Sequence, residues 1–412
     1  MASRVIHVAL ACAVAAVLAG SIALASRGAS ASQRPGIGVE GGRVHAANSL
    51  LCDPAQPHAS GTTVESISTP FGTRLYRLHV PTGYTGSTPV PLVLNWHGAT
   101  SDATFQESYT GFSTKADSAG FIVVYPQGVT TMARPFNHFN SWQLAAPEPD
   151  DVAFTSQLLD TLQSQLCVDI NRLYSTGYSN GSMMSVRLAC SLSNRIAAIG
   201  GVAGAYYPPA ANDLSASETC PDTRAVPLIE FHGTSDPIVP YNGGLGGFPG
   251  FMLTFRLPQD DDTVAEDVLD AWAAHNGCTS GRQPSQATTN VRLVEYTSCP
   301  DNAITQLYAV DGGGHTWPDG TTELSPMIFG TTTHEVNATD LMWTFFQAHT
   351  LGLPKAAVGG VAELPGVPAG SAAAAGSRGR GGIAAREAGA IVAAAGIAIA
   401  GVGVVWLRRR RA

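Results

Sequence analysis

The clearest chemical signal in the chain is the pentapeptide Gly177-Tyr178-Ser179-Asn180-Gly181, which has the pattern Gly-x-Ser-x-Gly. An apolar, strand-like segment precedes it and a helix-like segment follows. At such a strand-to-helix turn the serine takes a strained backbone conformation that exposes its hydroxyl group, and the two glycines leave room for neighbouring chain. The pattern alone is weak in a chain with 45 glycines, and a chance match in a loop is the alternative. The flanking segments favour Ser179 as a nucleophile for acyl transfer.

A serine nucleophile needs a base, and the base needs a carboxylate that orients it. When the serine sits on this kind of turn, the acid and then the base follow it in the chain, each on a loop after a strand. One apolar segment runs into His232-Gly-Thr-Ser-Asp236, and a later one runs into Asp311-Gly-Gly-Gly-His315. We therefore expect Asp236 to be the acid and His315 the base. His232 is the main rival base, although it comes early and is expected to support the Asp236 loop, and Asp311 is a weaker rival acid.

A tetrahedral intermediate also needs two N–H donors for its oxyanion. The first expected donor is the amide of Asn180, the residue after the candidate nucleophile. The second should come from the loop after an early strand, and residues 90–96 read as such a strand. We expect the amide of Ala99, in the loop that follows, to be this second donor. A simple core turn at His97 and Gly98 is the alternative.

These loops need a scaffold, and short apolar runs alternate with helix-like stretches along the chain. The predicted strands cover residues 90–96, 121–125, 172–176, 198–203, 226–231 and 304–310. The predicted helices cover residues 151–166, 181–191, 263–275 and 337–349, with Asp150 and Asp151 suited to cap the first. Several strands are apolar throughout, as expected for a parallel sheet covered on both faces, and the alternation predicts an α/β sandwich. The other histidines on or near the later helices are expected at the surface: His275, His334 and His349.

With these residues in place, the chain resembles a known family, the secreted polyhydroxybutyrate depolymerase-like and feruloyl esterases of the α/β-hydrolase fold. The resemblance runs from about residue 73 to about residue 349. It rests on Leu94-Asn-Trp-His-Gly98, Val123-Val-Tyr-Pro-Gln-Gly128, Asp150-Asp-Val-Ala-Phe154, Cys167-Val-Asp169, Thr176-Gly-Tyr-Ser-Asn-Gly181, Phe231-His-Gly-Thr-Ser-Asp236, Asn276-Gly-Cys278 and Gly312-Gly-Gly-His-Thr-Trp-Pro318.

The resemblance implies a three-layer α/β-hydrolase sandwich and a serine esterase that needs no cofactor or metal. It places Ser179, Asp236 and His315 at the matching triad positions. It also implies that Trp142 and Trp317 lie near the cleft and contact substrate. Family members cleave polyester links or aromatic acyl esters on plant-wall sugars. The chain departs from the family around Trp142, where a pair of cysteines found in many relatives is missing, and this leaves the substrate open.

Seven cysteines bear on the cellular compartment. Cys12 falls in a predicted signal peptide, and an even number in an exported domain suggests three disulfides, although six cysteines allow 15 pairings. Loops of modest length favour two pairs and leave a third: Cys278–Cys299, Cys190–Cys220 and Cys52–Cys167. The spacing of Cys and His does not resemble a zinc site.

The two ends of the chain differ from its middle. Residues 5–25 are apolar after one Arg and lead to small residues, which is typical of a cleaved signal peptide, with a retained anchor as the alternative. Residues 388–407 carry no charge and precede four Arg, which indicates a membrane span with the body of the protein outside. A buried helix and a wall-sorting signal are the alternatives. The predicted organisation is therefore a signal peptide (1–31), an N-terminal segment (32–49), an esterase domain (50–352), an Ala/Gly/Pro-rich stalk (353–387), a transmembrane helix (388–407) and a cytoplasmic basic tail (408–412).

The formal net charge of −8 argues against nucleic acid as a partner. Seven Arg and one Glu give residues 376–412 a charge of +6, so the rest of the chain carries −14. The expected partners are an ester substrate, polymeric or linked to polysaccharide, and the membrane through the C-terminal helix. We expect an extracellular serine esterase anchored at the cell surface. A serine peptidase of the same fold and a non-catalytic adhesin on this scaffold are the alternatives.

Overall fold

The structure is a computed structural model that describes most of the chain between residues 52 and 352. The described residues are 52–131, 137–141, 149–204, 220, 224–247, 254–257 and 264–352. The predicted signal peptide, stalk, transmembrane helix and basic tail all lie outside them. Within the described part, no helix is both long enough and apolar enough to cross a bilayer.

The strands of the described residues fall into one large sheet and one small hairpin. They are β1 (Gly61–Thr69), β2 (Gly72–Val80), β3 (Val90–Trp96), β4 (Ile122–Pro126), β5 (Val168–Gly177), β6 (Ala198–Val202), β7 (Leu228–Gly233), β8 (Gly244–Gly247), β9 (Thr254–Leu257), β10 (Gln283–Gln286), β11 (Val291–Tyr296) and β12 (Thr305–Val310). The large sheet has the order β1-β2-β4-β3-β5-β6-β7-β12-β11-β10, and β8 pairs with β9. The six central strands, from β4 to β12, are parallel, whereas the two strands at each edge pair antiparallel. The sheet is therefore mixed but mostly parallel, as expected for the α/β-hydrolase fold.

Helices lie between the strands along the described chain. They are α1 (Ala103–Thr110), α2 (Phe112–Ala119), α3 (Asp151–Gln165), α4 (Asn180–Ser191), α5 (Val264–His275), α6 (Pro326–Phe329) and α7 (Ala338–Gln347). Asp150 caps α3, because its carboxylate accepts the Ala153 N–H at 2.9 Å, and this confirms one of the two predicted caps.

Alternate residues of the central strands pack into two separate cores. In β3, Leu92 and Leu94 belong to a core shared with α3 and α4, whereas Val93 belongs to one shared with α2 and α7. This period of two sends successive side chains to opposite faces of the sheet. Each fully buried side chain of this kind contributes about 1.5–3 kcal/mol. The two cores make the sheet the middle layer of a three-layer sandwich.

The six predicted strands and four predicted helices are all present, with ends shifted by a few residues. The strand predicted at 172–176 begins earlier, at Val168, and the helix predicted at 337–349 ends earlier, at Gln347. The β1–β2 hairpin, α1, α2 and the β10–β11 pair were not predicted. His349 corrects another expectation, because its side chain is buried and its Nδ1 lies 2.7 Å from the Phe345 carbonyl.

The two cysteine pairs favoured by loop length and the pair that they left over are all confirmed. Disulfides join Cys52 to Cys167, Cys190 to Cys220 and Cys278 to Cys299. The first of these ties the start of the described chain to the segment that leads into β5. Disulfides of this kind are typical of proteins that fold in an oxidising compartment.

Candidate active site

Ser179 lies at the sharp turn between β5 and α4. Its backbone has φ 55° and ψ −117°, which few residues with a side chain adopt. The Ser179 N–H donates to the Val202 carbonyl at 2.8 Å and so ties the turn to β6. A Cβ at Gly181 would lie 2.1 Å from the Trp96 carbonyl oxygen, and a Cβ at Gly177 would lie 2.4 Å from the Gly181 backbone. Only glycine fits at these two positions, so the turn has the strained, crowded geometry predicted from the pentapeptide.

A cavity of about 260 Å³ adjoins Ser179. Ser179 and His315 both line it, although Ser179 itself is only 6% exposed. Ala99 also lines the cavity. Much of the remaining wall is apolar and includes Phe105, Leu324 and Phe329. The structure thus brings the predicted nucleophile and the predicted base to one partly open, largely apolar space.

Asp236 and His315 form a buried, hydrogen-bonded pair. They follow β7 and β12, which are neighbouring parallel strands, so their loops leave the same edge of the sheet. The Nδ1 atom of His315 lies 2.7 Å from Asp236 Oδ2. The other carboxylate oxygen, Oδ1, accepts the N–H groups of Ile238 at 2.8 Å and Val239 at 2.9 Å. Both oxygens are therefore held, and the carboxylate has a fixed orientation towards His315.

Opposing effects set the charge of Asp236. Burial raises the pKa of this carboxyl, but the charge and hydrogen bond of His315, with smaller help from His232 and the Val239 N–H, lower it below the usual value. An ionised Asp236 accepts the Nδ1–H of His315, which leaves the lone pair on Nε2. The Nε2 atom is buried and has no hydrogen-bond partner among the described residues. The pair therefore presents a histidine that can still accept a proton.

The two rival residues occupy other positions. His232 Nε2 lies 2.8 Å from the Val239 carbonyl and 3.5 Å from Asp236 Oδ2, so His232 contacts the Asp236 loop as expected. Burial lowers the pKa of His232, which keeps it uncharged. Asp311 is exposed, and its carboxylate lies 3.4 Å from Arg292 Nε. Neither residue therefore replaces a member of the Asp236–His315 pair.

Two tyrosines hold the loop that carries His315. The Tyr178 hydroxyl donates to the His315 carbonyl at 2.5 Å, and burial raises the Tyr178 pKa well above its usual value, so this donor keeps its proton. The Tyr109 hydroxyl accepts the Trp317 N–H at 2.7 Å. The two tyrosine rings meet edge to face at 5.4 Å. The sequence pattern treats Tyr178 only as a variable position of the pentapeptide and does not predict this contact. The presence of a tyrosine beside the nucleophile was the one feature of the sequence that pointed to it.

The two predicted oxyanion donors flank Ser179. Asn180 begins α4 directly after the serine, and Ala99 lines the cavity. A Cβ added at Gly98 would lie 3.5 Å from the Ser179 Cβ atom, so the loop that carries Ala99 runs close to Ser179. The placement of both residues fits the predicted role.

His97 fixes the start of this loop. Its side chain is fully buried, its Nε2 accepts the Gly128 N–H at 2.9 Å, and its Nδ1 lies 2.7 Å from the Gly98 carbonyl. An acceptor at Nε2 requires the proton on Nδ1. Burial lowers the pKa of His97 to about 4, so the ring is neutral near pH 7. The alternative of a simple core turn is therefore correct for the His97 side chain, whereas Gly98 and Ala99 line the cavity.

The Asn180 side chain has a second function that sequence reasoning missed. Its Oδ1 accepts the Phe139 N–H at 2.8 Å, and its Nδ2 donates to the Phe139 carbonyl at 3.2 Å and the Ser141 hydroxyl at 2.9 Å. These bonds join the residue after the nucleophile to a loop distant in sequence. Asn180 therefore links α4 to residues 137–141.

A buried ion pair supports the same loop. Asp151 Oδ2 accepts the Asn140 N–H at 2.7 Å, and Asp151 Oδ1 lies 2.7 Å from an Arg74 guanidinium nitrogen. The side chains of Arg74 and Asp151 are 2% and 0% exposed, and the guanidinium stacks 4.1 Å above the Phe154 ring. Asp151 is thus a buried structural charge rather than a helix cap. A buried pair of this kind needs good geometry to offset desolvation.

One of the two tryptophans expected to contact substrate, Trp317, lies in the hydrophobic core. Trp317 is fully buried, and its indole N–H donates to the Thr339 hydroxyl at 3.1 Å. Its ring meets Phe112 edge to face at 6.2 Å. The structure therefore corrects the expectation for Trp317, whose side chain is a core residue below the His315 loop. Trp142 lies outside the described residues.

Known proteins similar to this chain include several esterases. The family model described as Phospholipase/Carboxylesterase matches residues 149–245. The chain is 32% identical over 247 residues to feruloyl esterase B of Piromyces equi, which covers 58% of this chain and 42% of that protein. It is 28% identical over 225 residues to a bifunctional acetylxylan esterase/xylanase of Neocallimastix patriciarum, covering 55% of this chain and 28% of that protein.

Among solved structures, an acetyl xylan esterase from Aspergillus awamori aligns with a TM-score of 0.45 and 17% identity, over 69% of this chain and 99% of that one. The chain spans less than half the length of the two sequence relatives above. The class defined by fold and family match is the α/β-hydrolase fold. Within it, the resemblance to feruloyl esterases inferred from the motifs is confirmed.

Proposed function

We propose that the protein is a serine carboxylic ester hydrolase with Ser179, His315 and Asp236 as its triad. One observation carries the proposal: His315 is held at 2.7 Å by a buried carboxylate and shares a cavity with a serine in the strained turn conformation. The feruloyl and acetylxylan esterases named among the relatives support an ester rather than an amide as substrate.

The proposed reaction has two steps. His315 Nε2 accepts the proton of the Ser179 hydroxyl as its oxygen attacks the ester carbonyl, and the same proton then passes to the departing alcohol. The acyl group remains on Ser179. A water molecule, deprotonated by His315 in turn, attacks this acyl-enzyme, and His315 returns that proton to the Ser179 oxygen as the acid is released. Asp236 keeps the His315 proton on Nδ1 and stabilises the imidazolium that forms in each step.

The proposed oxyanion hole consists of the backbone amides of Asn180 and Ala99. Amides fixed in an enclosed site stabilise the developing negative charge more strongly than water does, because they need no reorientation. Two structural features support this role. Gly98 and Ala99 line the same cavity as Ser179, and Asn180 is held by its side-chain bonds to Phe139 and Ser141.

The proposed substrates are feruloyl or acetyl esters of plant-wall polysaccharide and polyesters of the polyhydroxyalkanoate type. We also propose that the domain acts outside the cytoplasm, anchored by residues 388–407. The three disulfides support an oxidising compartment. Protease added to intact cells should release the domain while a tag placed after residue 412 stays protected.

The decisive test uses a fluorophosphonate probe and a p-nitrophenyl ester on the purified domain. The probe should label the wild type and not Ser179→Ala, and the variant should lose p-nitrophenyl butyrate hydrolysis by several orders of magnitude. Absence of labelling in the wild type would support a non-catalytic adhesin. Faster cleavage of peptide amides than of esters would support a peptidase. A panel of hydroxyalkanoate, feruloyl and acetyl esters would then assign the substrate.

A further inference from the structure

A run of apolar side chains stands exposed beside the cavity. Leu324 and Phe329 line the cavity, and between them Met327 is 94% exposed and Ile328 38% exposed. We call these four residues the apolar rim. Single exposed apolar residues are ordinary on protein surfaces, but a continuous apolar patch marks an interaction site. Here two of the four residues, Leu324 and Phe329, also line the space that holds Ser179.

The rim is held in a defined conformation. The Phe329 N–H donates to the Ser325 carbonyl at 2.9 Å, which closes the short helix α6. The Phe329 carbonyl accepts the His315 N–H at 2.6 Å, and the Thr331 carbonyl accepts the Gly314 N–H at 2.9 Å. The exposed side chains are thus presented by backbone that also fixes the loop of the proposed base. Binding to a preformed surface loses little conformational entropy.

The charges around the rim disfavour an anionic occupant. Glu323 directly precedes Leu324 and is largely exposed, and His334 Nε2 lies 3.0 Å from its carboxylate. Asp319 contacts the same histidine at 2.9 Å. Two carboxylates beside one imidazole disfavour an anionic polymer or an anionic lipid surface. Phe105 is a further apolar residue of the cavity lining and stacks on Tyr109 at 5.0 Å.

We infer that the apolar rim binds the neutral, apolar chain of an ester substrate where that chain continues out of the cavity. The rim therefore selects esters with extended apolar chains over short ones. The cleavage of those esters rests on the proposed function, whereas the binding of the chain does not. Met327 and Ile328 do not line the cavity beside Ser179, so only a chain that extends out of the cavity would contact them. They are therefore the specificity-determining residues in this assignment.

Substrate selectivity is the first test. The variant Met327→Ser/Ile328→Ser should lower the ratio of kcat/KM for p-nitrophenyl octanoate to that for p-nitrophenyl acetate by about tenfold, as expected for partial burial of two apolar side chains. The matched control is Val64→Ser/Leu75→Ser, which removes two side chains that are 62% and 46% exposed on the remote β1–β2 hairpin. This control should keep the wild-type ratio.

An unchanged ratio in the rim variant would overturn the inference. An equal loss on both esters would also overturn it, because the rim would then act only through the position of His315. A drop in the control variant as large as that in the rim variant would show a general surface effect and would equally count against the rim.

Adsorption tests the rim without catalysis. Ser179→Ala protein should bind a polycaprolactone film, a neutral polyester, and adding the two rim substitutions should lower the bound fraction about tenfold at limiting film area. If the wild type cleaves no ester, the proposed function fails, and this measurement still decides the rim. Equal adsorption with and without the rim substitutions would refute it. Stronger binding to phosphatidylcholine vesicles than to the film would replace the substrate chain with a lipid surface.

Discussion

Two buried carboxylates in this molecule accept similar backbone hydrogen bonds but face different basic side chains. Asp236 and Asp151 are 5% and 1% exposed, each accepts backbone N–H, and each meets a basic side chain at 2.7 Å. Asp236 faces His315, whereas Asp151 faces Arg74. The Asp236–His315 pair lies at the candidate active site, and the Asp151–Arg74 pair supports the loop of residues 137–141, which Asn180 also contacts.

The difference in partner explains the difference in use. A guanidinium stays charged at every pH that proteins tolerate, so Arg74 can hold Asp151 and the loop but cannot exchange a proton. An imidazole nitrogen can take up and release a proton, so His315 can accept and return one while Asp236 orients it. A buried carboxylate thus supplies position in both places, and the partner decides whether the pair can also do chemistry.

The largest expected effect is a loss of activity when Asp236, but not the rival acid Asp311, is replaced. Asp236→Asn should lower kcat for p-nitrophenyl butyrate by ~10³–10⁴-fold, because an amide allows His315 to take the wrong tautomer. Asp311→Asn is the matched control for the rival acid and should stay near wild type. Steady-state kinetics with circular dichroism on both variants would check this. A comparable loss in the control would mean that the acid has been misassigned.

The second prediction concerns the pair that cannot exchange a proton. Arg74→Met should lower the free energy of unfolding by about 3–5 kcal/mol, because it leaves the Asp151 charge buried alone. Arg74→Met/Asp151→Asn should recover much of this loss, since an amide still accepts the Asn140 N–H without a charge. Urea denaturation of the three proteins measures both steps. A double variant no more stable than the single one would contradict the account.

The third prediction extends the comparison to a histidine whose hydrogen bonds go only to backbone. The pKa of His97 is about 4 in the folded state and ~6.5 when unfolded. The unfolded state therefore binds more protons in this range, and stability should fall by about 2 kcal/mol between pH 7 and pH 5 through this group. His97→Gln should reduce the pH-dependent loss by that amount in urea titrations. An identical pH dependence in the variant would show that His97 does not contribute.

The smallest effect concerns the support of the proposed base. Tyr178→Phe removes the hydrogen bond to the His315 carbonyl and should lower kcat/KM about tenfold, an effect of ~1.4 kcal/mol. Tyr174→Phe is a close control, because the Tyr174 hydroxyl donates to the His349 carbonyl at 2.9 Å, away from the cavity. Both variants should lose similar stability, measured by thermal unfolding, but only Tyr178→Phe should lose activity. Equal activity in the two would reduce Tyr178 to a structural residue.

Of the two ion pairs, the Asp236–His315 pair could be predicted from the sequence, whereas the Asp151–Arg74 pair could not. Asp236 and His315 were predicted because each follows an apolar strand, and parallel strands that end at one sheet edge bring their loops together. Arg74 was missed because it lies on β2, a strand with only partial apolar patterning, and meets Asp151 from far along the chain. No local pattern encodes such a contact.

Two aromatic residues show the same limit. Trp317 follows His315 closely and matches a family position, yet it is buried, and Thr339 on α7 accepts its indole N–H. Tyr178 is next to the nucleophile, and its hydrogen bond crosses to the His315 loop. Chain neighbourhood predicts which loop a residue occupies, whereas the direction of its side chain depends on helices packed from elsewhere.

The crowding at Gly177 and Gly181 limits how this protein could be re-engineered. Any side chain at either position collides with backbone within 2.5 Å, so a mutant library that includes these codons would be dominated by unfolded members. Diversity is better placed at Phe105, Leu324, Met327 and Ile328, where side chains border open space. New substrate ranges should therefore arise by changing the walls around a turn that itself tolerates no variation.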